Sequence, residues 1–497
     1  MCARDFRNLI RFAVCSKSFR FCDKSANLVR RLQWAREIPP CAQLLRPLQA
    51  AATPSPAAEG TEEQEIDKCQ LKVSCACAEH PAAAAMGLAL ALVAITAGIF
   101  IALFFLLVAG IIYFEFANSD IPPGVASPAK LRIIHCIMIG IAVVGKIAQN
   151  MFICSQLDFT RFIRDKLLAR RLGEDPKLLI KNLTFEGIPV RVYQPKSPSA
   201  GGRKGVLFFH GGGWIFGSID SYDVLCRYIS KGTESVVVSV GYRLAPEHKY
   251  PAAFDDCLKA TRHFLKTAKE YGVDPSSVII SGDSAGGNLT AAVCQDLLGA
   301  DLPKPLAQVL IYPLVQGIDF HLPSYTQNCA VPILYRERAV FYMINYIEGN
   351  LQMMEEVIDG DHVPVDLKLK FKKWLGLDNI PDEFKVRGIK HPLMASHSED
   401  VYEAHKQLFE THFSPLLAED SVFRLLPKAY VLTCEFDVLR DDGILYKKRL
   451  EDNGVPVTWF HLKDGFHGIV SFFDNGKLTF ESGKLAVDNI VKFINDV

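Results

Sequence analysis

One short motif, placed between a strand-like and a helix-like segment, constrains the fold most strongly. The strand-like run 278–281 is mainly apolar, the next five residues read Gly282-Asp283-Ser284-Ala285-Gly286, and helical periodicity follows. A serine in this context is typical of a nucleophile elbow, a tight strand-to-helix turn that exposes the hydroxyl group. Glycines at 282 and 286 remove side chains that would collide with the neighbouring strand and helix. We therefore predict that Ser284 is a nucleophile, with Asp283 supporting the turn. The alternative is a glycine-rich turn with an idle serine.

A second glycine motif, His210-Gly211-Gly212-Gly213, follows another apolar run. Glycines let backbone N–H groups approach a substrate carbonyl oxygen, and one such donor contributes about 10²–10³ in rate. We expect the N–H groups of Gly211, Gly212 and Ala285 to form an oxyanion hole. Gly213 would support the loop, and so would His210, which we do not expect to transfer protons. A flexible loop is the alternative. A phosphate-binding turn is disfavoured because no Gly-Lys-Ser/Thr follows.

Two further motifs complete the chain order Ser, Asp, His. Asp437 lies just past the strand-like run 430–433, where a triad acid belongs, and would orient the histidine and stabilise its imidazolium form. His467, in Asp-Gly-Phe-His-Gly, would act as the general base. The rivals of Asp437 are acidic residues of the same segment that otherwise form a solvated turn: Glu435, Asp441 and Asp442.

Short apolar runs alternate with helix-like segments along the chain. The strand candidates are 190–193, 206–209, 236–240, 278–281, 308–311, 430–433 and 457–460. Helix-like stretches at 253–271 and 285–298 lie between them, so we predict an α/β fold with a mainly parallel central sheet. Segments at about 130–175 and 316–427 are predicted to add a helical cap over the active site.

The segment 86–114 contains no charged residue and predicts a membrane anchor. About 20 apolar residues cross a bilayer as a helix, whereas the apolar stretch of a cleaved signal peptide is about 7–15 residues long. A buried core helix is the alternative. Because Lys68 and Lys72 precede the segment and acidic residues follow it, the positive-inside rule predicts a cytoplasmic N-terminus and a lumenal domain over 115–497.

The regions beside this anchor support further expectations. Residues 1–85 lack sustained periodicity and are predicted to be largely disordered, with Met86 as an alternative start of the chain. The apolar stretch 133–145 is too short to span and is expected to pack over the catalytic domain, with the membrane surface as a second contact to consider. Asn182 lies in a glycosylation sequon, which agrees with a lumenal domain. Asn288 also lies in a sequon, but in the predicted catalytic helix, where we expect it to be buried and unmodified.

Composition argues against two classes of ligand. Lysine plus arginine number 55 and aspartate plus glutamate also number 55, and no dense basic stripe marks the catalytic part, so nucleic acid is not an expected partner. Cys75-Ala-Cys77 lacks zinc-finger spacing and no second cysteine or histidine pair follows it. We therefore predict neither a metal site nor a cofactor.

The motifs as a set resemble the hormone-sensitive-lipase-like branch of α/β-hydrolases. Together with the segments 241–247 (Gly-Tyr-Arg-Leu-Ala-Pro-Glu) and 251–256 (Pro-Ala-Ala-Phe-Asp-Asp), they look most like the arylacetamide deacetylase-like family and its subgroup 4. The resemblance runs from about Met86 to the C-terminus. It implies an α/β-hydrolase fold with a helical cap, preceded by one transmembrane helix, as a type II protein of the endoplasmic reticulum.

The same resemblance implies hydrolysis of carboxylic esters or arylamides. Carried over by motif, Ser284, Asp437 and His467 would perform two-step acyl transfer on a small, lipophilic ester or amide. Membrane lipid would be contacted through the anchor at 86–114, and the sequence leaves protein partners open. The alternatives are a catalytically silent small-molecule receptor, against which the retained His467 argues, and an inactive membrane scaffold.

Overall fold

The computed structural model describes residues 81–118, 121–170, 172–199, 201–387 and 397–497. They separate into two units, one from Ile112 to the C-terminus and one formed by the described part of 16–111. Most of the predicted disordered extension, 1–80, lies outside the described residues. Residues 81–85 are helical, so for them the prediction of disorder is wrong.

The longest apolar segment forms helix α1 (Pro81–Asn118), which extends beyond the predicted anchor at both ends. Within it, Met86–Ala117 is 32 residues long and is long and apolar enough to cross a membrane by length and composition. Apart from Thr96 and Glu115, its described side chains are apolar, and most of them are exposed. A helix that is apolar on every face is typical of a buried core helix or of a membrane span.

The second apolar stretch is longer than predicted. It forms helix α2 (Pro128–Asn150), whose 23 residues also meet the length and composition criterion for a membrane span, with 33% of the tested window buried. The expectation that this stretch is too short was wrong because the helix continues past Arg132 and Lys146. A proline in its first turn favours the start, and one face packs into the domain through Leu131 and Ile134.

One eight-stranded sheet is formed within the described residues, in the order β1-β2-β4-β3-β5-β6-β7-β8. Its strands are β1 (Leu178–Phe185), β2 (Ile188–Pro195), β3 (Arg203–Phe209), β4 (Val236–Val240), β5 (Val273–Asp283), β6 (Ala307–Ile311), β7 (Lys428–Phe436) and β8 (Val457–Phe466). The pairs β1·β2 and β2·β4 are antiparallel and all other neighbours are parallel. The predicted α/β architecture with a mainly parallel sheet is confirmed.

Helices lie before, between and after these strands. They are α3 (Gln156–Phe162) with a π-helical continuation (Ile163–Leu168), α4 (Asp223–Thr233), α5 (Ala252–Thr267), α6 (Ala285–Asp296), α7 (Pro323–Gln327), α8 (Arg336–Ile347), α9 (Met354–Asp359), α10 (Val365–Leu375), α11 (Glu399–His405), α12 (Asp420–Phe423), α13 (Arg440–Asp452) and α14 (Glu481–Asp496). Among the described residues of 316–427, α7 to α12 occur and strands do not.

The core has two layers, one on each face of the sheet. Successive side chains of a strand point to opposite faces. In β3, Leu207 and Phe209 pack in one apolar cluster, whereas Val206 and Phe208 pack in the other. Because parallel strands present their carboxyl ends at the same edge of a sheet, the segments that follow β3, β5, β7 and β8 converge there.

Candidate active site

The turn between β5 and α6 holds Ser284 in a strained conformation. Its φ and ψ angles are 56° and −119°, a backbone conformation that residues other than glycine rarely adopt. The N–H of Ser284 donates to the carbonyl oxygen of Ile311 on the neighbouring strand (2.9 Å). A Cβ atom at Gly282 would overlap the carbonyl group of Gly286, and one at Gly286 would overlap that of Phe209. The turn therefore needs both glycines.

Ser284 lies at one end of a hydrogen-bonded chain of three side chains. Its Oγ is 2.9 Å from Nε2 of His467, and Nδ1 of His467 is 2.8 Å from Oδ2 of Asp437. Asp437 is fully buried and also accepts the N–H of Leu439 at Oδ1 (2.8 Å). This arrangement can move a proton from Oγ to Nε2 while the buried carboxylate holds the Nδ1–H tautomer.

The rival carboxylates near the end of β7 have other partners. Glu435 pairs with Arg387 (2.7 Å), Arg440 (3.1 Å) and His461 (3.3 Å). Asp441 pairs with Arg440 and accepts the N–H of Ser324, and Asp442 accepts the N–H of Val315 and a donor of Gln316. Of these four acidic residues, the described hydrogen bonds connect Asp437 to His467.

In the glycine loop, the N–H group of Gly211 does not point to the site as predicted for an oxyanion donor. The N–H of Gly211 donates to Oδ1 of Asp283 (2.7 Å) and lies 3.1 Å from the hydroxyl oxygen of Tyr222, so it is engaged inside the domain. The N–H groups of Gly212 and Gly213 meet no acceptor within the described residues. Ala285 occupies the first turn of α6, where N–H groups have no intrahelical partner.

His210 is a buried, supporting residue of this loop. Burial lowers its pKa to about 4, so its imidazole is neutral at physiological pH. The ring stacks on Tyr242 with a centroid separation of 4.3 Å, and the hydroxyl group of Tyr242 donates to the carbonyl oxygen of His210 (2.6 Å). These contacts position the start of the glycine loop and leave His210 without a role in proton transfer at Ser284.

Asp283 links the glycine loop to the serine turn, and sequence reasoning missed how it does so. Its buried carboxyl group accepts from Gly211 at Oδ1 and from the hydroxyl group of Tyr222 at Oδ2 (2.9 Å). Burial raises the pKa of Asp283 to about 6. Tyr222 lies outside every motif, so no sequence signal pointed to it.

Helix α8, from the segment predicted as a cap, packs against the loop that follows the three glycines. Trp214 stacks on Tyr346 with ring centroids 4.6 Å apart, and Phe216 meets Tyr342 edge to face at 6.0 Å. A Cβ atom at Gly213 would press on the ring of Tyr342. Aromatic side chains of α8 therefore help to hold the glycine loop in place.

The remaining predicted sites have the following environments. Asn182 is exposed on β1 and accepts from Nε of Arg191 (2.7 Å). Asn288 is buried on α6, and its side-chain amide donates to the carbonyl oxygen of Phe413 (2.6 Å). In the ranges that the structure describes, no cluster of His, Cys, Asp or Glu side chains is suited to a metal ion.

Comparisons with known proteins agree with this fold. A family model described as alpha/beta hydrolase fold matches residues 206–359 and 387–471. The chain is 45% identical over 387 residues to human arylacetamide deacetylase-like 4, covering 78% of this chain and 94% of that protein. It is 36% identical to rat neutral cholesterol ester hydrolase 1, with 76% and 94% covered. The crystal structure of DphMB1 matches with a TM-score of 0.51 and 30% identity, covering 68% of this chain and 91% of that one. This chain therefore belongs to the arylacetamide deacetylase-like family of α/β-hydrolases.

Proposed function

We propose that this protein is a membrane-anchored serine hydrolase that cleaves carboxylic esters through an acyl-enzyme. The observation that carries the proposal is the hydrogen-bonded chain from Ser284 through His467 to Asp437, with distances of 2.9 and 2.8 Å. It begins at a strained serine beside a glycine loop with unengaged N–H groups. A small-molecule receptor or a scaffold would not need this combination of features.

The proposed reaction has two steps. Oγ of Ser284 attacks the ester carbonyl carbon as Nε2 of His467 takes its proton, and the same proton then passes to the leaving alcohol. Water repeats the sequence on the acyl-enzyme, which releases the acid and restores the serine. Asp437 holds the imidazole in orientation and stabilises its protonated form.

The oxyanion of each tetrahedral intermediate would be stabilised by backbone donors. We assign these donors to the N–H groups of Gly212, Gly213 and Ala285, since that of Gly211 already binds Asp283. Donors preorganised in a buried site stabilise developing charge at little reorganisation cost.

The substrate class proposed is a lipophilic carboxylic ester, with arylamides as the related alternative. A relative is named a neutral cholesterol ester hydrolase, which favours apolar esters. The apolar helix α1 supports attachment to a membrane, in which such substrates dissolve. We propose a single-pass type II arrangement in the endoplasmic reticulum, with the catalytic domain in the lumen.

A fluorophosphonate probe tests the proposal directly, because it labels activated serines. Membranes containing the full chain should be labelled, and Ser284→Ala should abolish labelling. Ser281→Ala is the matched control: its hydroxyl group lies buried on β5, the strand that leads to Ser284, has no hydrogen-bond partner in the described structure, and should be dispensable. Absence of labelling in folded wild-type protein would overturn the proposal in favour of a silent receptor or scaffold.

A further inference from the structure

An exposed apolar surface lies on the segment that connects α2 to β1. Its side chains are between 55% and 90% exposed and come from the turn after α2, from α3 and from the π-helical segment. We call it the apolar shoulder; its residues are Met151, Phe152, Ile153, Phe162, Leu167 and Leu168. Several exposed apolar side chains of this size on one short segment are typical of contact with a partner or a membrane.

The apolar shoulder is held in place by specific contacts. The N–H of Ile153 donates to the carbonyl oxygen of Ala148 (3.0 Å), and Phe152 adopts a left-handed conformation (φ 58°) that presents its ring outward. Helix α3 packs back on α2 at Gly145, where an added Cβ atom would lie 3.1 Å from the ring of Phe159. The apolar shoulder is therefore held in a defined conformation by the rest of the domain.

Helix α2 runs antiparallel to the last turns of α1. Within the larger unit, the thiol of Cys136 is 3.8 Å from the carbonyl oxygen of Ile112, His135 pairs with Glu115 at 3.3 Å, and Arg132 lies over the ring of Phe116 at 5.6 Å. These contacts place α2 alongside residues 112–116 of α1, within the larger unit. The apolar shoulder lies at the C-terminal end of α2.

We propose that the apolar shoulder is inserted into the lipid bilayer, in the leaflet on the side of the catalytic domain. This inference rests on the membrane attachment in the proposed function. The span in α1 is 32 residues, which as a helix is about 48 Å long and exceeds the roughly 30 Å hydrocarbon core. We place its final turns at the interface, where the larger unit begins.

The charges around the apolar shoulder fit an interfacial position. Lys166 is exposed next to its leucines, Arg170 is exposed and paired with Asp474 (3.1 Å), and Arg164 lies over the ring of Phe216 at 5.1 Å. Lysine and arginine side chains at an interface place their charge among headgroups while their aliphatic stems remain in the apolar region. An apolar patch with basic neighbours favours a lipid surface over a second copy of this chain.

The same segment also contacts the candidate active site. Arg161, on α3, donates to the carbonyl oxygens of Ile215 (2.9 Å) and Ala245 (2.6 Å). Ile215 in turn donates its N–H to the carbonyl oxygen of Gly212 in the glycine loop (3.2 Å). Insertion of the shoulder would therefore bring the glycine loop close to the membrane surface, so that a lipophilic ester reaches Ser284 from the lipid.

Photo-crosslinking to lipid tests the insertion. The full chain is reconstituted in vesicles of phosphatidylcholine with a minor share of phosphatidylserine, with benzoylphenylalanine in place of Phe152, and adducts are identified by mass spectrometry. Lipid adducts at Phe152 are expected. Leu369, which is 70% exposed on α10, is the matched control position and should give none.

The outcomes separate this inference from the proposed function. Benzoylphenylalanine in place of Phe105, in the predicted anchor, should give lipid adducts. Adducts there but not at Phe152 would overturn the insertion and leave the anchor intact. Absence of adducts at both positions would overturn the anchor, whereas fluorophosphonate labelling of Ser284 reports on catalysis alone. Protein adducts in place of lipid adducts at Phe152 would also contradict the inference.

A kinetic comparison gives a second, independent readout. The double variant Phe152→Ser with Ile153→Ser should keep wild-type activity on a short water-soluble ester and lose activity several-fold on an ester embedded in the vesicles. Leu369→Ser should change neither activity. An equal loss on both substrates would show damage to the fold, and equal retention on both would show that delivery from the lipid does not depend on the shoulder.

Discussion

At the level of single residues, the four carboxylates near the end of β7 differ in what each already binds. Glu435 is committed to two arginines and a histidine, whereas Asp437 is buried and bonded to His467. Burial acts to raise the pKa of Glu435, but its partners His461, Arg440 and Arg387 lower it overall. A carboxylate neutralised by arginines is a poor partner for a developing imidazolium ion.

Replacing the proposed triad acid should therefore cost far more activity than replacing its neighbour. We expect Asp437→Asn to lower kcat by about 10⁴, because the wrong imidazole tautomer is then favoured. Glu435→Gln, the matched control, should retain activity within severalfold. Steady-state kinetics on a soluble ester measure kcat for both variants, and thermal unfolding verifies that they are folded. Comparable losses in the two variants would contradict the assignment of Asp437.

Asp283 supports a prediction about stability and pH. Burial raises its pKa from 3.8 to about 6, so the folded protein keeps a proton that the unfolded chain has released. The stability contributed by this proton is complete below about pH 4 and is lost as pH rises through about 6. A shift of about two pKa units corresponds to about 3 kcal/mol.

Asp283→Asn removes this titration. The unfolding temperature of the variant relative to wild type should therefore rise between pH 4 and pH 7. Thermal unfolding of detergent-solubilised protein across this range measures it, with the exposed Asp301→Asn as a control that should show a constant difference. A difference for Asp283→Asn that does not change with pH would refute the assigned cause.

At the level of elements, the turn from β5 into α6 requires close contact between its own backbone and the backbone at the end of β3. Gly286→Ala places a Cβ atom against the carbonyl groups of Phe209, at the end of β3, and of His210, which follows it. Overpacking of this kind costs about 1–3 kcal/mol, and it should also displace Ser284. We expect a lower unfolding temperature and reduced fluorophosphonate labelling.

Gly299→Ala is the matched control for this prediction. No heavy atom lies within 4 Å of a Cβ atom added at Gly299, so labelling and unfolding temperature should match those of wild type. Full labelling of Gly286→Ala at an unchanged unfolding temperature would show that the turn has room for a methyl group.

The central strands could be predicted from the sequence, whereas the edge strand β1 could not. Strands β3, β4 and β5 carry runs of residues that are buried on both faces, which gives continuous apolar stretches. β1 reads Leu-Leu-Ile-Lys-Asn-Leu-Thr-Phe and is mostly exposed at the edge, so its pattern was missed. β1 is stabilised as a strand by its pairing with β2, and no local sequence pattern reveals that pairing.

In the candidate site, too, some features could be predicted from the sequence and others could not. Motifs and chain order were enough to select Ser284, Asp437 and His467, because each motif follows a strand whose end lies at the same edge. The direction of each N–H group in the glycine loop depends instead on torsions such as φ 120° at Gly212 and 63° at Gly213. Sequence cannot supply these angles, which is why Gly211 was predicted as a donor.

At the level of the whole molecule, the two glycosylation sequons report on which side of the membrane the domain lies. Asn182 is exposed on the edge strand β1, whereas Asn288 is buried on α6. If the positive-inside rule places the domain in the lumen, only the first is accessible to glycosylation. The two sites therefore form a matched pair within one chain.

We expect wild-type protein from cells to shift in mass on treatment with endoglycosidase H. Asn182→Gln should abolish the shift, and Asn288→Gln should leave it unchanged. Because Asn182→Gln disturbs the bond from Arg191, Thr184→Ala provides a second variant that removes the same sequon while keeping that asparagine. A wild-type protein without glycan, in membranes where Ser284 is labelled, would place the active domain in the cytosol and reverse the proposed orientation.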